Sequence, residues 1–125
     1  MNILTTPNAP AAIGPYSQAI CHGGFLFSSG QLGLDPATGA SAGDTIEAQA
    51  EQSCKNVGAI LQEAGICFEN VIKTTCFLAD MGDFAAFNAV YAKYFTGNPA
   101  RSCVAVKTLP KGMLCEIEVV AALGN

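Results

Sequence analysis

The stretch P-A-R-S-C-V-A-V-K-T-L-P-K-G-M-L-C-E-I-E-V-V-A, Pro99 to Ala121, decides how the rest of the chain is read. Cys103 to Thr108 and Leu114 to Ala121 are rich in β-forming residues, and Leu109-Pro110-Lys111-Gly112 between them carries the Pro-x-Gly chemistry of a turn. The spacing predicts strand, turn, strand. In the second run, alternation puts Cys115, Ile117, Val119 and Ala121 on one face and Leu114, Glu116, Glu118 and Val120 on the other. Apart from its two glutamates the run is apolar, which suits a strand inside a sheet better than one at its edge. A carboxylate on such a strand calls for a partner or a task.

The segments before this stretch supply its scaffold. Asn2 to Thr6 is a short β-prone start at a sheet edge, closed by Pro7-Asn8-Ala9-Pro10. Gly14-Pro15 forces an extended turn that leaves Tyr16 at the mouth of a strand running to about Cys21. His22-Gly23-Gly24 is a tight hairpin into Phe25 to Ser29, and the single histidine reads as a solvated turn residue. Ser28-Ser29-Gly30-Gln31 ends that strand, with a hydroxyl at Ser29 and room for close backbone approach at Gly30. Asp44 reads as the N-cap of a helix, with Glu47 three residues on, and Ile46, Ala50, Cys54, Val57, Leu61 and Ala64 form its core stripe up to Gly65. Val71 to Ala79 is a strand alternating through Ile72, Cys76 and Leu78. Asp83 caps a second helix, Phe84 to Phe95, on whose apolar stripe falls Asn88, either satisfied by nearby backbone or aimed at a ligand. Three strands, helix, strand, helix and two strands make an α+β order with both helices on one face of a single sheet.

Composition bounds the rest. The 125 residues fit one domain, 1–125, and only 13% of them are charged against the usual ~25%, while 50% are apolar. So few charges on a chain this size imply that apolar surface is buried against other copies. A net charge of −4 and five scattered lysines argue against holding nucleic acid, and no apolar run reaches the ~20 residues of a membrane span. The start M-N-I-L-T-T-P lacks the basic and apolar regions of a signal peptide, so a cytoplasmic protein is expected. Cysteines 21, 54, 67, 76, 103 and 115 never come within the spacing of a C-x-x-C or zinc-knuckle motif, and they read as reduced thiols, the mid-helix and in-strand ones acting as small hydrophobes.

Arg101, the sole arginine, follows Pro99-Ala100 at the start of a strand. It is either a surface ion pair or a fork presented to a planar anion such as a carboxylate. Glu116, held on a rigid strand, can pair with a cation, orient water or transfer protons; Glu118 reads as a structural ion pair or a solvent contact. Cys103 lies near Arg101, but no second histidine is available to activate it, so a backbone contact there is favoured over thiolate chemistry. A carboxylate clamp and a water-holding carboxylate, without a metal motif, nucleophile dyad or phosphate loop, match hydrolysis of a small electrophilic acid such as an imine.

The closing pattern P-A-R-S-C-V-x-V then L-P-K-x-x-x-x-E-I-E resembles the signature of the Rid (YjgF-type) family of reactive imine/enamine deaminases. Four further segments match in order: I-G-P-Y-S-Q-A (13–19), S-S-G-Q-L-G-L-D-P-x-T-G (28–39), V-I-K-T-T-C-F-L-A-D-M-x-D-F (71–84) and F-N-A-V-Y-x-x-Y-F (87–95). The resemblance implies a chorismate-mutase-like α+β fold, one mixed sheet with two helices on one face, in a homotrimeric barrel with clefts between subunits. It places the last strand inside the sheet, so the final two strands need not be a hairpin. It implies deamination of 2-iminopropanoate and 2-iminobutanoate, or their enamine tautomers, to 2-oxo acids and ammonia, sparing pyridoxal-phosphate enzymes from these intermediates. Arg101 would bind the substrate carboxylate and Glu116 activate water, while Tyr16, Ser29, Gly30, Asn88 and Cys103 line the pocket; no cofactor is implied. The chain departs from many relatives in having only Thr96, Gly97 and Asn98 between Phe95 and Pro99, which bears on rim shape and substrate range. Three other readings compete with the enzyme: a non-catalytic trimer that binds 2-oxo acids or a partner, a ribonuclease, and a thiol redox protein.

Overall fold

A strand that hides one face and shows the other needs neighbours on both edges, and the last strand has them. In a computed structural model describing residues 1–124, β1 (Asn2–Leu4), β2 (Ala19–His22), β3 (Phe25–Ser28) and β4 (Gln31–Leu32) precede helix α1 (Ile46–Glu63). β5 (Val71–Leu78), helix α2 (Phe84–Tyr94), β6 (Ala100–Ala105) and β7 (Cys115–Ala122) follow. Asn125, which closes the expected domain, lies outside the described residues. One seven-stranded mixed sheet runs in the order β1-β2-β3-β7-β5-β6, with β4 also paired to β7. β7 is antiparallel to β3, β4 and β5, whereas β5 and β6, joined through α2, are parallel.

Both helices cover one face. Cys115, Ile117, Val119 and Ala121, each at most 3% exposed, meet the α1 stripe of Ile46, Ala50, Cys54, Val57 and Leu61, all buried. Thr74 and Cys76 of β5 lie on that same face, and the Thr74 hydroxyl is 2.8 Å from the Tyr91 hydroxyl of α2. α1 and α2 are tied together at the surface by Lys93 Nζ, 2.9 Å from a Glu51 carboxylate oxygen. The opposite face carries Ile3, Phe27 and Val104, exposed by 66%, 45% and 47%, with Glu116 and Glu118 among them. All six cysteines are free. Burial pushes the Cys115 thiol up to about 11 and the Cys76 thiol up to about 12, so both remain packing groups. No helix of the described residues is long and apolar enough to cross a membrane.

Local chemistry accounts for most boundaries. Gly23 and Gly24, with φ of 61° and 84°, form the two-residue turn between β2 and β3, a conformation that Cβ-bearing residues rarely adopt. Four of the expectations shift. β4 adds a strand before α1, since Gln31 and Leu32 rejoin β7 after the Ser29-Gly30 break. The helix N-cap is Thr45 and not Asp44: the Thr45 hydroxyl accepts the Ala48 N–H at 3.1 Å. In β5 an irregularity between Val71 and Lys73 buries Val71 and turns Ile72 out, 45% exposed, where simple alternation had Ile72 inside. β6 occupies 100–105 rather than 103–108 and does not pair with β7. Its partner is β5, from Lys73↔Ala100 to Leu78↔Ala105, so β6 ends where β5 ends.

The cap can be tested directly. Thr45→Ala should lower the unfolding free energy by about 1 kcal/mol in urea titrations at one protein concentration, and Asp44→Ala by less than half as much. The reverse order would return the cap to Asp44.

Candidate active site

Two groups of polar side chains stand out against the apolar sheet, one on each face. The first is built on the β6 edge. The approach to it is anchored where Thr96 donates to a Glu69 carboxylate oxygen at 2.7 Å, a bond that, with one from Cys67, holds the Glu69 carboxyl below its ordinary value. Asn98, with φ of 52°, then turns the chain into Pro99 and β6. Arg101 and Cys103 sit opposite Thr74 and Cys76 and so point to the helix side of the sheet. Arg101 Nη1 donates to Asn88 Oδ1 at 2.7 Å, and its guanidinium carbon lies 4.7 Å from the centre of the Tyr91 ring and 5.5 Å from that of Phe84. Burial raises the Cys103 thiol above its ordinary value, only partly opposed by the Arg101 charge, which leaves it a thiol rather than a thiolate at neutral pH.

The second group gathers around Glu116. Gln18, buried, accepts the Thr6 N–H at 2.7 Å and donates to the carbonyls of Thr6, Ala9 and Pro10, so the N-terminal segment becomes a fixed wall. Ser29 is held by its N–H on the Gln18 carbonyl at 2.9 Å and spends its hydroxyl on the Ser17 carbonyl at 2.6 Å. Gly30 passes directly beneath the acid: a Cβ there would lie 2.5 Å from the Glu116 carboxyl carbon. Glu116 faces a cavity of about 410 Å³ whose lining includes Tyr16, Ser29 and Gly30, with Ile13 and Leu34 among its apolar walls. Burial, and then the negative charge of Glu118 two residues on, push the Glu116 carboxyl above the usual carboxylate range.

The seven expected site residues thus divide. Arg101, Cys103 and Asn88 lie on the helix side of the β6 edge, where Arg101 and Asn88 share a recess with Tyr91, Thr96 and Pro99. Tyr16, Ser29, Gly30 and Glu116 border the cavity on the uncovered side. Within one chain these spaces are separate. Asn88 is tied to Arg101, and the Ser29 hydroxyl is tied to backbone. His22 is exposed at the β2 turn, away from both groups. Tyr91 and Gln18 escaped the sequence reading: a tyrosine on an apolar helix stripe looks like core, and nothing local marks a glutamine that closes a loop 12 residues away. Among the described residues no cluster of three or more His, Cys, Asp or Glu is placed to hold a metal ion.

Comparison with known proteins places this arrangement. The sequence model of the Endoribonuclease L-PSP family matches residues 6–123. The chain belongs to this family. The L-PSP chain is 56% identical to the RutC family protein slr0709 of Synechocystis, over 98% of its length and 97% of that protein. It is 47% identical to the 2-iminobutanoate/2-iminopropanoate deaminase of Mus musculus, over 98% of its length and 91% of that protein. The crystal structure of YyfA from Yersinia pestis, of the conserved Rid protein family, superposes with a TM-score of 0.94 at 47% identity, covering 97% of this chain and 98% of that one. The Rid-type motifs and the L-PSP family are therefore one assignment.

The cause given for the Glu116 shift is open to measurement. In Glu118→Gln the Glu116 carboxyl, followed by carbon NMR, should titrate at lower pH than in the unaltered protein yet stay above an ordinary glutamate, because burial persists. An unmoved midpoint would remove Glu118 from the account.

Proposed function

We propose that the protein hydrolyses 2-iminopropanoate, 2-iminobutanoate and their enamine tautomers to 2-oxo acids and ammonia, in clefts between the protomers of a homotrimer. The observation that carries this reading is the division of the site. Among the described residues, a guanidinium without a carboxylate partner lies at an open strand edge, and a half-buried carboxylate without a cation lies on the other side of the sheet. One chain cannot bring them to one small molecule. A second copy can, if the β6 edge of one protomer meets the uncovered face of the next, where Ile3, Phe27 and Val104 already expose apolar surface that self-association would bury. Deaminases of this family from mouse, human and Salmonella, 46% to 49% identical, support the chemistry.

In the proposed reaction Arg101 grips the substrate carboxylate through a planar fork, which fixes the C=N carbon over Glu116. Glu116 takes a proton from water as the water oxygen bonds to that carbon, forming a carbinolamine. That proton passes to the nitrogen, Glu116 then takes the hydroxyl proton of the carbinolamine as the C=O forms, and it hands this proton to the nitrogen as the C–N bond breaks, so that imine and water become 2-oxo acid and ammonia. A carboxyl raised above its usual range suits both steps, being a better base and still able to give the proton back. Positioning and proton transfer suffice because imines already hydrolyse in water. The Cys103 thiol serves as wall. Removing such electrophiles would spare the pyridoxal-phosphate enzymes that release them.

The family's description names an endoribonuclease. This chain carries a net charge of −4, and its one arginine is half-buried against α2, an arrangement that favours a small acid over a phosphate backbone. Salt-washed protein should leave RNA intact.

Three measurements test the proposal. With a threonine dehydratase supplying imine, Arg101→Lys should lower kcat/KM about tenfold or more, because the ammonium keeps the charge and loses the fork. Glu116→Gln should still bind 2-oxobutanoate while releasing ammonia slowly, and the acid limb of the unaltered enzyme should lie above the usual carboxylate range, since the base must be deprotonated before attack. Co-refolding Arg101→Ala with Glu116→Gln should restore activity that neither has alone, as mixed trimers contain one kind of cleft with both groups intact. Failure of that mixture, or a monomer in the ultracentrifuge, would remove the shared cleft; 2-oxobutanoate binding without ammonia release would leave a sensor rather than an enzyme.

A further inference from the structure

Arginine is a long, freely rotating side chain, and an arginine on an edge strand ordinarily spreads into solvent or pairs with the nearest acid. Arg101 does neither. Among the described residues the recorded ion pair is Lys93 with Glu51, and the partners of Arg101 are all neutral: the Asn88 amide oxygen and the faces of two aromatic rings. Both rings lie within the roughly 6 Å over which a ring face attracts a cation. Phe84, Asn88 and Tyr91 follow each other at spacings of four and three, so one face of α2 supplies all three contacts. A neutral cradle of this kind fixes the guanidinium without cancelling its charge, and it occupies one N–H while leaving the others for an incoming carboxylate.

The cradle is itself held from the strand that carries Arg101's partner. Tyr91 stacks on Phe95, with ring centres 4.3 Å apart and planes 19° apart, and its hydroxyl meets Thr74 at 2.8 Å. Thr74 is the residue paired with Arg101 across β5 and β6. The contacts therefore close a circuit: Arg101 backbone to Thr74, Thr74 hydroxyl to Tyr91, Tyr91 ring back to the Arg101 guanidinium. A phenylalanine would fill the same core volume; what the tyrosine adds is a ring plane referenced to the strand from which Arg101 projects.

We propose that Tyr91, locked by Thr74, is a positioning residue that orients the Arg101 guanidinium for carboxylate binding, an inference that rests on the deaminase reading for its substrate and on the circuit above for its geometry. Ordinary core packing would give Tyr91 a share of stability and nothing more. The two are separable because Arg101 is the sole arginine of the chain, so protein labelled with ¹⁵N-arginine gives side-chain signals that belong to it alone.

In the unaltered protein the Arg101 Nε and Nη signals should be displaced by the ring faces, with slow rotation of the guanidinium. Tyr91→Leu should bring them to the averaged positions of a free arginine and raise KM for 2-iminobutanoate about tenfold while kcat changes by less than about twofold. Tyr91→Phe, which restores the ring without the lock, should recover most of the shift yet leave the guanidinium rotating and KM raised about threefold, the same change that loss of the Thr74 hydroxyl should give. A folded Tyr91→Leu protein with unmoved arginine signals and an unchanged KM overturns the proposal. If that variant does not fold, Thr74→Val carries the test, since it keeps the volume and removes the hydroxyl: restored guanidinium rotation with a KM raised about threefold supports the lock, and no change in either refutes it. Should the unaltered protein release no ammonia while Tyr91→Leu still weakens 2-oxobutanoate binding about tenfold, the deaminase reading falls and the positioning role stands.

Discussion

Everything in this molecule hangs from the two-sidedness of β7. With neighbours hydrogen-bonded along both edges, the strand cannot rotate, so each side chain is committed to one of two environments. Cys115, Ile117, Val119 and Ala121 are sealed under the helices at no more than 3% exposure. Glu116 and Glu118 are held by the same constraint on the other side, close enough for one charge to raise the other's affinity for protons. A carboxylate on a flexible loop would relax away from such a neighbour; on a central strand it cannot. The same strand sets the Glu116 carboxyl over Gly30, where an added Cβ would lie 2.5 Å from the carboxyl carbon and force it to swing aside.

Around that strand the chain prepares two kinds of charge in two ways. The anion is made reluctant, by burial and by a like charge, so that it holds a proton more readily than a surface glutamate. The cation is kept available, by rings and an amide that restrain it without neutralising it. Placing them on opposite faces prevents the salt bridge that would otherwise form between them and leave neither for a ligand. In the proposed trimer the cost is a site that one chain leaves unfinished, and the uncovered apolar face is the counterpart of that incompleteness.

Several features were legible because they are local. The α1 stripe, the Gly23-Gly24 hairpin and the interior character of β7 follow from side-chain period and from glycine's freedom at positive φ, and the structure has each of them. The misreadings are equally instructive. Val104 to Thr108 has good β propensity, yet β6 stops at Ala105 because β5 offers nothing further to bind. Ile72 fits an alternating pattern, yet one irregularity in the ladder turns it outward. Asp44 and Thr45 are both good caps, and only the entry of the chain into α1 selects between them.

The order of residues alone determined the two helices, the core stripe of α1, the interior character and apolar face of β7, and that one arginine and one strand-borne glutamate stand out as chemistry, because these depend on neighbours a few positions apart. Tertiary structure decided that β5 lies between β6 and β7, that Arg101 and Glu116 fall on opposite faces, and that Tyr91, a core residue by its spacing, is bound to Thr74 and stacked against Arg101. Those outcomes depend on which distant strands pair and in what register, and that is settled by the competition of whole surfaces for burial, to which no short stretch of sequence holds the answer.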